Sequence, residues 1–129
     1  MSMDLSKWRI EKAEMTFKDG EQLEHMGSYH SAINRFYYAA FHAVRALLAT
    51  KEMDSAKHSG IISFYNKEFV KVGIVSKASS KALSDLFRLR SHADYDDFKT
   101  FDKDDCLVAR EQAKGIIEEI SNVLREIQH

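Results

Sequence analysis

The chain has 129 residues, enough for one domain with a core that needs no covalent staples. Its 44% hydrophobic and 30% charged residues are those of a globular protein in water, and a formal net charge of -1 excludes a bulk electrostatic pull on nucleic acid, so any basic site must be local. The single cysteine, Cys106, excludes an internal disulfide and a cysteine-rich zinc site and fits a reducing cytoplasm.

Pro is absent, which suits long uninterrupted helices. Asp4 is placed to cap a first helix from Leu5 to about His25. Ile10, Ala13, Phe17 and Leu23 give it an inner face, extended by Leu5, Trp8 and Met15, and Gly20 on that face marks a close helix crossing. Met26-Gly27-Ser28 reads as the break, with Gly27 the stop and Ser28 the cap of the next helix. So short a turn predicts antiparallel packing.

The stretch Ser31 to Ala49 is the centre of the chain, dense in Ala and Leu and long enough for roughly five turns. Ile33, Phe36, Ala40, Val44 and Leu47 keep one face apolar, and Ala39, Ala43 and Ala46 admit a close neighbour. Asn34, Arg35, Tyr38, His42 and Arg45 fall within roughly a quarter of the circumference. Two cations, an imidazole, an amide and a phenol in one stripe suit a phosphate or a base. The same stripe also reads as a solvated helix face or a hydrogen-bonded subunit contact.

Lys51 to Lys57 is a polar loop, after which Asp54 or Ser55 is placed to cap a third helix from about Ala56 to Val72. Ile61, Ile62, Tyr65, Phe69 and Val72 face inward, and Gly73 ends the helix. A fourth helix starts at Ser76 and points Leu83, Leu86 and Phe87 to the core. In the acidic connection Asp94 to Asp105, Tyr95, Phe98 and Phe101 are expected to tuck under the bundle. Asp102 or Asp104 then caps the last helix. That helix repeats Cys106, Ala109, Ala113, Ile116, Ile120, Val123 and Ile127, widened by Ile117 and Leu124, as a core or dimer stripe. With no strand-like alternation, the expected fold is all-α, an up-and-down bundle of four or five helices spanning residues 1-129 as a single domain. No apolar run approaches the roughly 18 residues of a membrane span, and the charged N-terminus does not read as a signal peptide. The expectation is a cytoplasmic protein without a membrane partner.

No glycine-rich phosphate loop, paired-His metal helix or Gly-x-Ser-x-Gly elbow occurs. His25 and His30 lack ligand spacing, so neither metal nor cofactor is expected. Polar chemistry concentrates instead in Arg88-Leu89-Arg90-Ser91-His92-Ala93-Asp94-Tyr95. Asp85, Arg88, His92 and Tyr95 share one helix face, either a solvated stripe or a site for an anion or RNA backbone. Arg90 and Asp94, four apart nearer the core, read as a half-buried structural ion pair. His58, in the first turn of the third helix beside Lys57, is either a surface residue or an anion contact.

Arg35-x-Tyr37-Tyr38-Ala39-Ala40-Phe41-His42-Ala43, Leu47-Leu48, His58-Ser59-Gly60, Phe69-x-x-x-Gly73, Arg88-x-Arg90 and Ala93-Asp94-Tyr95 together resemble the HEPN family (higher eukaryote and prokaryote nucleotide-binding) over about Ser28 to Tyr95, closest to its small stand-alone prokaryotic branch. The resemblance implies a bundle that forms a homodimer and works in the cleft between subunits. Many relatives are metal-independent ribonucleases, often toxins held in check by a partner nucleotidyltransferase. Their motif is an Arg, then a His after four to six residues, commonly with a Tyr two places on. Aligned on that Tyr, Arg88 and Tyr95 match and Ala93 takes the place of the catalytic His. An alanine methyl moves no proton, and His92 lies roughly 100° around the helix from that position.

Three functions follow. The preferred one is a nucleotide- or RNA-binding homodimer that presents Arg35, Tyr38, His42, His58, Arg88 and Tyr95, acting with a separately encoded nucleotidyltransferase in a toxin–antitoxin-like pair. The second is a metal-independent endoribonuclease with Arg88 on the phosphate and His92, His42 or His58 moving the proton. The third is a non-enzymatic helical adaptor or neutralising partner.

Overall fold

A computed structural model of the chain describes residues 2–128, and His129 lies outside them. Five α-helices follow in order: α1 (Ser2–His25), α2 (Tyr29–Ala49), α3 (His58–Tyr65), α4 (Lys77–Tyr95) and α5 (Lys103–Gln128). A π-helical turn, Asn66–Val70, extends α3. No strand occurs among the described residues, so the fold is all-α. None of these helices is long and apolar enough to cross a membrane.

α2 runs through the middle of the bundle. Between Ala32 and Ala49 only Asn34, Arg35, Tyr38, His42 and Arg45 escape full burial, so the polar stripe of the sequence is the one edge of the central helix that meets water. The apolar remainder packs against α1, α4 and α5. Burying that much aliphatic and aromatic surface supplies the main drive to fold, at about 25 cal/mol per Å² removed from water.

The turn between α1 and α2 closes as its residues dictate. Gly27 takes φ +81°, and Ser28 N–H returns to Leu23 O at 2.9 Å. The Ser28 side chain makes no capping bond. α1 begins before Asp4, which lies in its first turn beside the positive end of the helix dipole rather than at the cap. Ala13 and Gly20 turn inward and Ile10, Phe17 and Leu23 pack against the core as expected, but Ser6, Arg9 and Thr16 complete the buried face, and Leu5, Trp8 and Met15, expected to extend it, lie in solvent. The reason is close approach to α2. A Cβ on Gly20 would stand 2.7 Å from Phe36 Cε1, and Ser6 Oγ donates to Ala46 O at 2.7 Å. Only small or hydrogen-bonding side chains fit so tight a crossing.

α3 starts later than expected, at His58 after Lys57, because Asp54 and Ser55 spend their oxygens inside the loop, on the backbone N–H of Ser55 and Lys57. The π-helical turn, closed by Lys71 N–H to Asn66 O at 2.8 Å, rotates the positions beyond Phe69. Val72 therefore faces solvent instead of the core, and Gly73 reverses the chain at φ +85°. Ser76 caps α4 by accepting from Ser79 N–H at 3.1 Å. Asp102 and Asp105 cap α5 reciprocally, each carboxylate accepting the other's N–H at 2.9 and 3.0 Å. In the connection before α5, Phe101 is half-buried near His30, with ring centroids 6.4 Å apart, whereas Tyr95 and Phe98 are exposed rather than tucked under. The α5 stripe is buried from Cys106 to Leu124, and Ile127 at its end is exposed. Burial pushes the Cys106 thiol up to about 12, so it behaves as a small core side chain.

Candidate functional site

The polar edge of α2 meets α4, and the two helices run antiparallel: Asn34 reaches Asp94, and Tyr38 reaches Arg90. A spacing of four on each helix brings the two pairs into register. Arg90 is the hub, with a side chain only 11% exposed. Its Nη2 donates to Tyr38 Oη at 2.6 Å, and its Nε stands 3.0 Å from Asp94 Oδ2. The guanidinium lies 5.2, 5.1 and 5.8 Å from the ring centres of Tyr37, Tyr38 and Tyr95. A flat, weakly hydrated cation is the group such a cage of π faces holds best. Asp94 accepts Asn34 Nδ2 at 3.0 Å, and Asn34 Oδ1 accepts from Arg35 Nε and Nη2 at 3.1 and 2.6 Å.

Arg35 ends this chain of contacts. Its guanidinium lies 5.3 Å from the Tyr38 ring on the side of the helix that meets water, and among the described residues it pairs with no carboxylate. Tyr38 thus stands between a guanidinium already neutralised by Asp94 and one with charge to spare.

Behind Tyr37 lies a second group. Tyr37 Oη and His58 Nδ1 are 2.8 Å apart, and the His58 ring stacks on Phe41 with centroids 4.3 Å apart. Phe87 closes that pocket from α4, with its ring centre 5.7 Å from that of Tyr37. Burial pushes the Tyr37 phenol well above its ordinary value, so it keeps its proton, and its hydroxyl and His58 Nδ1 share one hydrogen bond. Burial, then the charges of Arg90 and Arg45, hold the His58 pKa below the ordinary imidazole value. His42, one turn along α2 from Tyr38, is pushed down to about 4 by burial and then by the cations Lys12, Arg45, Arg35 and Arg9. Both imidazoles are neutral at pH 7.

The structure brings Arg35, Tyr38, Arg90, Asp94 and Tyr95 together, with His42 beyond Tyr38 and His58 behind Tyr37. Arg88 and His92 lie elsewhere. Arg88 is exposed and pairs with Asp85 at 3.4 Å, beside Lys81. His92 Nδ1 is 2.5 Å from Asp96 Oδ2 past the end of the helix. Ala93 is 3% exposed and belongs to the core. His58 is half-buried, with its ring set against Tyr37 and Phe41. Sequence reasoning missed Tyr37, Phe41 and Phe87 as its neighbours. The available signal was the doubled Tyr37-Tyr38, since adjacent helix positions point about 100° apart and serve two different pockets.

The chain is thus a helical bundle with a caged arginine and a half-open cation–aromatic edge. The chain belongs to the HEPN family, whose domain model matches residues 6–124. It is similar to a UPF0332 protein of Thermotoga maritima, 33% identical over 121 residues, 94% of this chain and 91% of that one. It is also similar to two proteins of Methanocaldococcus jannaschii. One, named Putative toxin MJ0605, is 31% identical over 92% of this chain and 87% of its own length. The other, named Putative toxin MJ0142, is 38% identical over 67% of this chain and 59% of its own.

Proposed function

We propose that this HEPN protein is the RNA- or nucleotide-binding member of a toxin-type pair, and that it acts as a homodimer beside a separately encoded nucleotidyltransferase. The observation that carries the reading is Arg35: a guanidinium without a carboxylate, oriented by Asn34 and lying against the Tyr38 ring. A fork of N–H donors beside an aromatic face is suited to a phosphate and its neighbouring base. Arg90, Asp94 and Asn34 position that pair, and Tyr95 offers a further exposed ring. The names of the relatives support the toxin part of the reading. Binding is preferred to cleavage because the position of the family's His is a core alanine.

The test is anisotropy of a labelled single-stranded RNA over a salt series. Arg35→Ala should weaken binding uniformly across sequences and lower the magnitude of the salt slope by about 0.7. Tyr38→Ala should cost the roughly 1–3 kcal/mol of one stacked base. No binding at low salt would end the reading.

A further inference from the structure

Away from the caged arginine, two surface features match each other. The first is an open groove of about 770 Å³ between the α3–π-helical segment and α4. Ile62 and Phe87 form its floor, with Ser63, Asn66, Lys67 and Lys71 on its edges. No carboxylate lines it. Among the described residues neither Lys67 nor Lys71 is in an ion pair, whereas Lys51 has Glu68 and Lys81 has Asp85.

The second feature is Phe98, wholly exposed on the connection after α4. It takes φ +62°, the left-handed region that bulky residues rarely adopt. The chain around it is acidic: from residue 94 to 105 it carries six Asp against Lys99 and Lys103, and Asp96 and Asp97 directly precede the ring. An aromatic held in water on strained backbone is a feature that folding of one copy does not explain.

We propose that two copies of this chain pair by seating Phe98 of each in the lysine-edged groove of the other. An apolar floor receives the ring, and Lys67 and Lys71 meet the acids that flank it. The arrangement can close. Phe87 and Tyr95 are eight residues apart on α4, about 12 Å along the axis, and Phe98 follows three residues on. A two-fold axis crossing α4 between them makes the contact twice and leaves neither a free knob nor a free groove. This rests on the homodimer in the proposed function and names its surface. It is independent of RNA binding.

Sedimentation equilibrium over a micromolar concentration series tests it, with circular dichroism as the fold check. Phe98→Asp should raise the dissociation constant about 100-fold or more, because a central anchor is lost at both contacts. Its side chain touches only solvent, and Asp tolerates the left-handed region better than Phe, so folding is unaffected. Lys67→Glu with Lys71→Glu should also give monomers, as should Asp97→Lys. An equimolar mixture of the lysine-reversed protein and the Asp97→Lys protein should restore a dimer, since both contacts in the mixed pair regain opposite charges. Met15→Asp, on the exposed face of α1, should leave pairing intact. A wild-type monomer at every concentration overturns both the homodimer and this surface. A dimer indifferent to Phe98→Asp and to the lysine reversal overturns the surface and leaves the homodimer standing. Dissociation without rescue in the mixture places knob and groove in different contacts and overturns the proposal too.

Discussion

His42 should make the protein lose stability in mild acid, by an amount the site sets. In the folded chain its pKa is held at about 4, against 6.5 when free. Between those values the unfolded chain binds a proton that the folded one refuses, so stability rises with pH through this window and falls as the medium is acidified from 6.5 toward 4. Each pH unit is worth about 1.4 kcal/mol, which puts the ceiling near 3 kcal/mol. His42 is partly exposed, solvent screens Lys12, Arg45 and Arg35, and Asp54 offsets Arg9, so about 1–2 kcal/mol is the expected loss. Urea unfolding at a series of pH values from 7.5 to about 4, for the wild type and His42→Gln, measures it. Gln is neutral throughout, so the difference between the curves isolates this residue from the carboxylates that titrate alongside. The curves should diverge below pH 6.5 and run parallel again below about 4. Parallel curves across the whole window would refute the placement of a neutral imidazole among four cations.

Two further substitutions test how the site is held. Arg90→Ala leaves Asp94, 18% exposed, without its cation and empties the space between three rings. It should cost about 3–5 kcal/mol in urea unfolding, and a loss under 1 kcal/mol would mean that the cage carries no structural weight. Gly20→Ala gains up to about 1 kcal/mol of helix propensity. It also drives a methyl to 2.7 Å from the Phe36 ring, an overpacking of about 1–3 kcal/mol. The net should be a lower melting temperature, and a rise would show that α1 and α2 can separate without loss.

Where the hydrophobic period was clean, the sequence was readable. α5 buries Cys106, Ala109, Ala113, Ile116 and Ile120 as the spacing of three and four requires. α1 shows why the same logic fails elsewhere. Its buried positions Ser6, Arg9, Ala13, Thr16 and Gly20 keep the period, but their residue types are set by closeness to α2 and not by apolarity. Reading hydrophobicity alone turned Leu5, Trp8 and Met15 inward. The π-helical turn misplaced Val72 in another way, since no residue type announces one extra residue in a turn. In the candidate site, the stripe on α2 was legible as five spaced polar residues. Its partner on α4 was less so, because Arg88 and Arg90 look alike in the sequence and only packing decides which of them meets Tyr38.

The register of α4 explains both the caged arginine and the alanine at residue 93. Leu83, Leu86 and Ala93 lie on the buried stripe, so residue 93 faces the core, where a small apolar side chain packs. Arg90 and Asp94 flank that stripe and reach α2, while Arg88, His92 and Tyr95 turn toward solvent. An imidazole at residue 92 therefore points to Asp96 and away from Tyr38. The same step of roughly 100° that separates it from the buried alanine carries His92 out of the cluster. What stays is an edge where the Arg35 guanidinium lies against the Tyr38 ring, with its neutral imidazoles on α2 and α3 rather than on α4.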